Sequence, residues 1–544
     1  MSFKDLRSFL TKLDELGELK KIRAEVNSCL EVSEIANRIS KGRPEENKAL
    51  LFENISGYQI PLLINSLGSI NRMNIALEAN SFNEIANRIE KFLDKKIPDS
   101  LMGKLSMLPK LAEVAAFPPK LVSNAPCQEI IINNPNEPML DKLPIITAWP
   151  LDAAPFITMT VVVTKDPKSG IRNVGMYRMQ KIDNSTTCMH WHKHHDGAQN
   201  YQVASHKWQV TSDSKTEDMQ EDLCREPTEE EKELLSPQKQ ATLLKENPQT
   251  VIPSSHQAKR RMEVAVAIGC DPAVMYSASA PLPPGVDEFL FAGFLRSSPV
   301  ELVKCKTVDL EVPATSEIVL EGYVDLDELT VEGPFGDHTG FYSMPGLFPK
   351  FHITCMTHRK DPIYVTTIVG KPPMEDCYMG KATERIFLPL IKMIVPEVVD
   401  LNLPWEGVFH NCAIVSIKKK YPAHAKKVMS AIWGLGQMMF TKYIIVVDEN
   451  VNIQDLKEVA FHFFANTDPK RDSLFTEGPT DILDHASTQM GISGKIGFDA
   501  TKKWKSEGYN RTWPEEMIMD TTTKELVSRR WKEYGLSFTP NRIT

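Results

Sequence analysis

The stretch Val331-Glu332-Gly333-Pro334-Phe335-Gly336-Asp337-His338-Thr339-Gly340-Phe341-Tyr342 sets two carboxylates and a histidine within seven residues. Gly333, Pro334, Gly336 and Gly340 punctuate it. Proline gives no donor to a strand ladder and glycine opens backbone angles closed to other residues, so the spacing predicts a shaped loop. On a straight strand Glu332 and Asp337 would face opposite sides, because their separation is odd. A turn would carry both carboxyls toward one pocket, where mutual repulsion raises the pKa of one. One then acts as a base or anion and the other as a proton donor. A polar surface turn uses the same residue types, and the stretch alone leaves both readings open.

The chain before this loop is rich in strands. Residues 157–164 (ITMTVVVT), 173–178 (NVGMYR), 263–268 (EVAVAI) and 317–324 (EIVLEGYV) are largely β-branched, with few helices between them. That pattern predicts a β-barrel or sandwich core. After the loop, strands at 363–369, 413–417 and 443–447 alternate with helical patterns near 384–394, 423–433 and 454–464, which predicts an α/β domain. At the other end, Ser2 and Asp5 form an S-x-x-D capping box before Leu6, Phe9, Leu10 and Leu13 at helical spacing. Residues 34–39 and 84–89 both read EIANRI, too short a match for a repeat architecture.

The resulting expectation is a multidomain α/β (α+β) chain. An N-terminal α/β domain covers 1–115, a β-rich domain 116–340, an α/β domain 341–520, and a charged amphipathic helix with its tail 521–544. Residues 203–258 interrupt the β-rich part. They are polar, with an acidic run at Glu229, Glu230, Glu231 and Glu233, and suit a surface excursion, either passive or a lid.

Composition narrows the function classes. The 544 residues are 42% hydrophobic and 25% charged, an ordinary globular balance. A net charge of -8 argues against nucleic acid as partner. Nine cysteines stand singly with no C-x-x-C pair, which fits reduced thiols in a cytoplasmic protein. The N-terminus is too charged for a signal peptide and no apolar run is long enough to span a membrane. Neither a G-x-S-x-G elbow nor a phosphate loop nor a dinucleotide fingerprint occurs. Any hard chemical step therefore needs a cofactor that these fingerprints do not announce.

The tract Met189-His190-Trp191-His192-Lys193-His194-His195-Asp196-Gly197 is the most histidine-dense. On a strand, His190, His192 and His194 would share one face, as in a metal site or a polar strand edge. Asn173 and Glu288 are oxygen donors that neither spacing nor period marks, and Arg178 reads as an edge arginine of the same strand as Asn173.

Taken together, EGPFGDHTGFY, NVGMYRMQ, MHWHKHHDGA, VDEFLFAGFLR, PAHAKKVMSAIW, TKYIIVVDENVN and GFDATKKW resemble the UbiD family of decarboxylases, whose best-known branch acts on 4-hydroxy-3-polyprenylbenzoate in ubiquinone biosynthesis. The resemblance spans most of the chain except 203–258. It implies a central split β-barrel that binds prenylated FMN, a cofactor made by a separate flavin prenyltransferase. A manganese ion bridges the cofactor phosphate, with potassium in many members. Asn173 and Glu288 match metal-ligand positions, and as oxygen donors they suit a hard cation. The third ligand falls near His195 or Asp196. Met176, Tyr177, Arg178, His190, Trp191, His192, His195 and Asp196 match segments that wrap the flavin, so the histidine tract reads as a cofactor cradle. Lys442 matches a cofactor-contacting lysine of some relatives.

The resemblance gives catalysis to Arg178, Glu332 and Asp337. Arg178 would hold the substrate carboxylate and pair with Glu332, and Asp337 would donate the proton that replaces CO2. It implies an aromatic acid as substrate, either a polyprenylated benzoate reached at a membrane surface or a smaller hydroxybenzoate or other aryl acid. A homo-oligomer, dimeric or hexameric, is the implied assembly. A non-catalytic flavin-binding assembly subunit is the alternative from a different class.

Overall fold

The computed structural model describes residues 3–93, 117–134, 137–191, 201, 261–283 and 285–536. The first helix, Leu6–Glu15, buries Leu6, Phe9, Leu10 and Leu13, as its spacing predicts. Its cap is Asp5, which accepts from the Ser8 backbone while the Ser8 hydroxyl closes the box. The box thus runs from Asp5 to Ser8 rather than from Ser2 to Asp5. A four-stranded sheet follows, ordered Leu19–Ile22, Ala49–Phe52, Leu62–Ile64 and Tyr364–Val365. Both EIANRI segments are helical, in Glu31–Lys41 and Phe82–Leu93.

Among the described residues the central sheet has nine strands. Its path runs Phe156–Ile157, Met179–Lys181, Thr186–Met189, Gly346–His358, Ile318–Glu332, Arg261–Ile268, Thr160–Lys165, Arg172–Gly175, with Ile130–Ile132 pairing outside it. All its pairings are antiparallel. The connectivity forces curvature. Ile157 ends the first strand of the path and Thr160 begins the next-to-last, and three Cα steps reach only about 11 Å. Gly175, in the last strand, is likewise only a few residues from Met179 in the second. The two edges of the sheet must therefore approach each other, as in a split barrel. The single strand expected over 157–164 is two strands because the chain crosses this seam. Thr160 Oγ1 fastens it, accepting from Tyr177 N at 3.1 Å and donating to Tyr177 O at 2.5 Å. Arg178 lies in the crossing segment, not in the Asn173 strand.

The domain boundary expected after Gly340 falls inside a hairpin. Ile318–Glu332 pairs with Gly346–His358 over most of its length, and Tyr364–Val365 joins the N-terminal sheet beside Leu62 and Leu63. The helix Glu375–Ile394 starts earlier than 384 and buries Met379, Ala382 and Ile386 in the same core as Leu6 and Val264. A separate core begins only at Leu388, beneath the five-stranded sheet Val398–Asn402, Cys412–Ile417, Tyr443–Asp448, Ile492–Asp499, Ser473–Pro479. Helices His424–Trp433 and Leu456–Asn466 accompany it. The terminal helix Thr521–Arg530 buries none of its residues, and Leu526 is exposed. Among the described residues no helix is long and apolar enough to cross a membrane. Residues 203–258 lie outside the described residues.

Candidate active site at the barrel seam

Three strand ends converge here. Glu332 is the last residue of Ile318–Glu332, Arg178 directly precedes Met179–Lys181, and His190 directly follows Thr186–Met189. His190 N donates to Arg178 O at 3.2 Å, and Gly333 N donates to Gln180 Oε1 at 2.8 Å. Gly333, at φ +90°, turns the chain off the strand into the loop that carries Asp337. Gly336 passes beneath Trp149 so closely that a Cβ would sit 2.2 Å from the indole, and its N–H donates to Asp152 Oδ1 at 2.8 Å.

The turn does bring the two carboxyls together, with Arg178 between them. Arg178 Nε donates to Glu332 Oε1 at 2.6 Å and Nη2 to Glu332 Oε2 at 3.1 Å, while Nη1 pairs with Asp337 Oδ2. Nη2 also donates to Ser343 Oγ at 3.1 Å, and the guanidinium lies 4.5 Å from the centre of the Phe335 ring. His190 Nδ1 is 3.0 Å from Glu332 Oε2.

This arrangement overturns the expectation that repulsion raises one carboxyl. Burial would raise Glu332, but Arg178 and His190 hold it at about 2. Burial opposes the same effect at Asp337, which Arg178 and His338 hold far below the carboxylate range. An intervening cation outweighs anion–anion repulsion at these separations. Burial and the Arg178 charge lower the pKa of His190, which favours the neutral ring.

Beyond Asp337 the C-terminal domain contributes a second polar layer. His338 Nδ1 is 2.9 Å from Asp337 Oδ1, and its Nε2 is 2.8 Å from His410 Nε2. Burial would depress His338, but its bond to Asp337 and the Asp337 charge raise it to about 9. Burial and the His338 charge lower His410 to about 4. Burial raises Asp376, within electrostatic reach of both Asp337 and His338, to about 6. Lys442 belongs to this layer: it donates to Asp484 Oδ1 at 2.8 Å, and its charge reaches His410.

The Asn173–Glu288 pair forms a third cluster. Asn173 sits on Arg172–Gly175 and Glu288 opens the helix Glu288–Leu295. Val174 N donates to Glu288 Oε2 at 3.2 Å, which brings the carboxylate against the Asn173 strand. Asn173 Nδ2 and the buried indole Nε1 of Trp191 have no hydrogen-bond partner among the described residues. A carboxylate beside an amide, with orphaned buried donors nearby, fits a cation held together with an anionic ligand. Tyr177 is buried edge-on to Trp191 at 6.3 Å, and Met176 packs on the same core. His192, His195 and Asp196 lie outside the described residues. His190 stands past the end of its strand, so the one-face reading of the histidine tract does not apply to it.

Comparison with known proteins now decides the family. Residues 10–89 match the N-terminal domain of 3-octaprenyl-4-hydroxybenzoate carboxy-lyase, 120–217 and 234–372 its Rift-related domain, and 377–500 its C-terminal domain. The chain belongs to the UbiD family of carboxy-lyases. The match leaves only 218–233 uncovered within the segment expected to depart from the family, so the departure is narrower than 203–258 and contains the acidic run. An uncharacterized protein of Archaeoglobus fulgidus is 46% identical over 98% of this chain and 99% of its own length. The UbiD-class enzyme HmfF from Pelotomaculum thermopropionicum, solved with FMN, is similar at 28% identity and a TM-score of 0.70 over 94% of this chain and 97% of that one. Vanillic acid decarboxylase from Sedimentibacter hydroxybenzoicus, in its closed form, is similar at 26% identity and a TM-score of 0.78 over 98% and 99%.

Several residues of the site carried no signal of their own. Ser343 and Phe335 are ordinary loop residues, and His410 and Asp481, whose polar atoms lie within 4.8 Å of each other and of His338, stand far from the motif in the chain. His338, adjacent to Asp337, and Phe335 both lie inside the motif, but only the histidine is a chemically marked residue there.

Proposed function

We propose that this UbiD-family carboxy-lyase removes CO2 from an aromatic carboxylic acid with prenylated FMN as cofactor, and that Arg178, Glu332 and Asp337 are its catalytic residues. The observation that carries the reading is the buried guanidinium of Arg178 clamped between two carboxylates, at the seam where the orphaned donors also lie. Asn173 and Glu288 would hold a divalent ion, manganese by family resemblance, with the cofactor phosphate. Met176, Tyr177, Arg178, His190, Trp191, His192, His195, Asp196 and Lys442 are the proposed cofactor contacts, with potassium as a further ion. The modified flavin, when bound, supplies the electron sink that an aryl carbon needs as CO2 leaves.

The chain's own residues do the rest. Glu332 holds Nε and Nη2, which fixes the plane of the guanidinium. A substrate carboxylate competes with Asp337 for Nη1. Once displaced, Asp337 loses the nearer of its two cationic partners, keeps His338, and gains an anionic neighbour, and the loss and the gain both raise its proton affinity. A carboxyl held ionised in the resting site thus becomes able to hold a proton for the vacated carbon. Phe335 and Phe156, 4.6 Å apart, exclude water from one side of Arg178.

The substrate is proposed as a hydroxybenzoate. The family description names an octaprenylated one, and the vanillic acid decarboxylase likeness favours a small one. Supply of the cofactor by a flavin prenyltransferase, a homo-oligomer that covers the exposed Thr521–Arg530 helix, and a cytoplasmic setting, at the membrane surface for a prenylated substrate, belong to the same proposal. The test is production with a flavin prenyltransferase, followed by CO2 release from vanillate, 4-hydroxybenzoate, 3,4-dihydroxybenzoate and 4-hydroxy-3-polyprenylbenzoate. Turnover of one or more that is lost in Glu332→Gln supports it. Inertness of flavin-loaded protein toward all of them overturns the substrate reading and favours the assembly-subunit alternative.

A further inference from the structure

We infer that His338, His410 and Asp481 form a site for a first-row divalent metal ion, separate from the Asn173–Glu288 pair. One ligand atom from each of the three lies within 4.8 Å of those from the other two. The two imidazoles meet through Nε2 at 2.8 Å. Metal–nitrogen bonds of about 2.0–2.1 Å at a right angle place two ligand nitrogens about 3 Å apart, so this spacing needs only a small adjustment to admit an ion.

The hydrogen bonding agrees with this. Asp337 Oδ1 lies 2.9 Å from His338 Nδ1 and accepts its hydrogen bond. Nε2 is then the ring nitrogen left for an ion, whose binding displaces the proton there. That is the carboxylate–histidine–metal arrangement, in which a carboxylate on the far nitrogen orients the ligand. Asp481 is oriented too, because Leu483 N donates to its Oδ1 at 2.8 Å. His410 Nδ1 has no partner among the described residues, so His338 is the more firmly held of the two rings.

The backbone supports a special role for His410. Val408 and Phe409, immediately before it, have φ of +45° and +50°. Two consecutive left-handed residues with branched or aromatic side chains are strained, and such strain gathers at functional sites. The Phe409 ring stacks on His338 at 5.4 Å, which packs the two segments together.

The donor set is two imidazoles and one carboxylate, which suits zinc, iron, cobalt or nickel better than magnesium or calcium. One carboxylate against a divalent ion leaves a net positive charge, and Asp376 lies within electrostatic reach of His338 to offset it. The ion would tie the catalytic loop to the C-terminal domain beside Asp337, with open positions for water or a substrate hydroxyl.

The experiment uses the full chain, produced without a flavin prenyltransferase, stripped with EDTA and titrated with Co2+ alone. The expected result is one equivalent bound with the visible d–d absorption of histidine-ligated cobalt. His410→Gln and Asp481→Asn should each weaken binding at least tenfold, while Glu288→Gln retains it. Asp481→Asn is isosteric and decides the matter if near-ultraviolet circular dichroism finds His410→Gln poorly folded. Absence of the d–d band in wild-type protein, or binding that survives Asp481→Asn, would overturn the site and leave a hydrogen bond between the two histidines as the only content of the contact. Neither outcome depends on decarboxylase activity.

Discussion

Glu332→Gln keeps the size of a side chain that is fully buried and removes its charge. The carboxylate accepts from Arg178 at 2.6 and 3.1 Å and meets His190 at 3.0 Å. A pKa of about 2 in place of 4.5 measures the net preference for the anion. At about 1.4 kcal/mol per pH unit this amounts to about 3 kcal/mol. Breaking one partner of a buried pair costs about 3–5 kcal/mol, and the low end applies because Asp337 still holds Arg178. The folded pKa is depressed, so the contribution is present above pH 4.5 and is lost as pH falls through about 2. The assay is amide hydrogen exchange of peptides from Ile318–Glu332 and Gly346–His358, with wild type and variant compared at matched pH. At pH 7 the variant should exchange roughly a hundredfold faster through opening of the central sheet. By pH 3 the free-energy gap should fall to roughly half. Exchange within threefold of wild type at pH 7, or a gap unchanged at pH 3, would refute the electrostatic account.

Three further substitutions probe other levels of the structure. Arg178→Lys replaces a fork that spans two carboxylates with a point charge, so CO2 release per bound flavin should fall at least about a hundredfold; a loss below tenfold would contradict the clamp. Gly336→Ala drives a methyl to 2.2 Å from Trp149, whose indole is anchored to Val369 O at 2.9 Å, so stability should drop by about 1–3 kcal/mol with altered tryptophan fluorescence; an unchanged melting curve and spectrum would show that the loop relaxes freely. Asp5→Ala removes both a helix cap and the Arg359 contact at 3.0 Å, and should cost about 1–2 kcal/mol, read as faster limited proteolysis after the first helix; unaltered proteolysis would mean that neither contact matters.

What could be read from the chain follows the range of the forces involved. The helix Leu6–Glu15 announces itself through local periodicity, because one face of it is buried, and the strand Arg261–Ile268 through a continuous apolar run, because both faces are buried from Val264 onward. Topology does not work that way. Nothing in ITMTVVVT marks the break after Ile157, since β-branched residues suit both strands equally well and the break exists only because the sheet curls. The glycine-rich turn around Gly340 works in a related way: it ends a strand without ending a sheet, and the partner strand Gly346–His358 lies beyond it.

The site divides along the same line. Glu332 and Asp337 are legible as a pair because only four residues lie between them in one short stretch. Their charge state is not, because it is set by Arg178, far away in sequence and delivered by the seam crossing. Two neighbouring carboxylates alone imply a raised pKa; the same two across a guanidinium imply a depressed one. The sign of the chemistry therefore depends on a residue that local reading classes as an edge arginine. It also follows that the proton-donating role proposed for Asp337 cannot belong to the resting geometry. It requires an incoming carboxylate to take Nη1, so binding of the substrate would itself arm the acid. A simple aryl compound without a carboxyl group should leave Asp337 ionised, whereas an aryl carboxylate should raise its proton affinity, a difference that infrared difference spectroscopy of the protonated carboxyl stretch in wild type and Asp337→Asn would resolve. Equal carboxyl signals for both ligands would break the link between Arg178 occupancy and proton transfer.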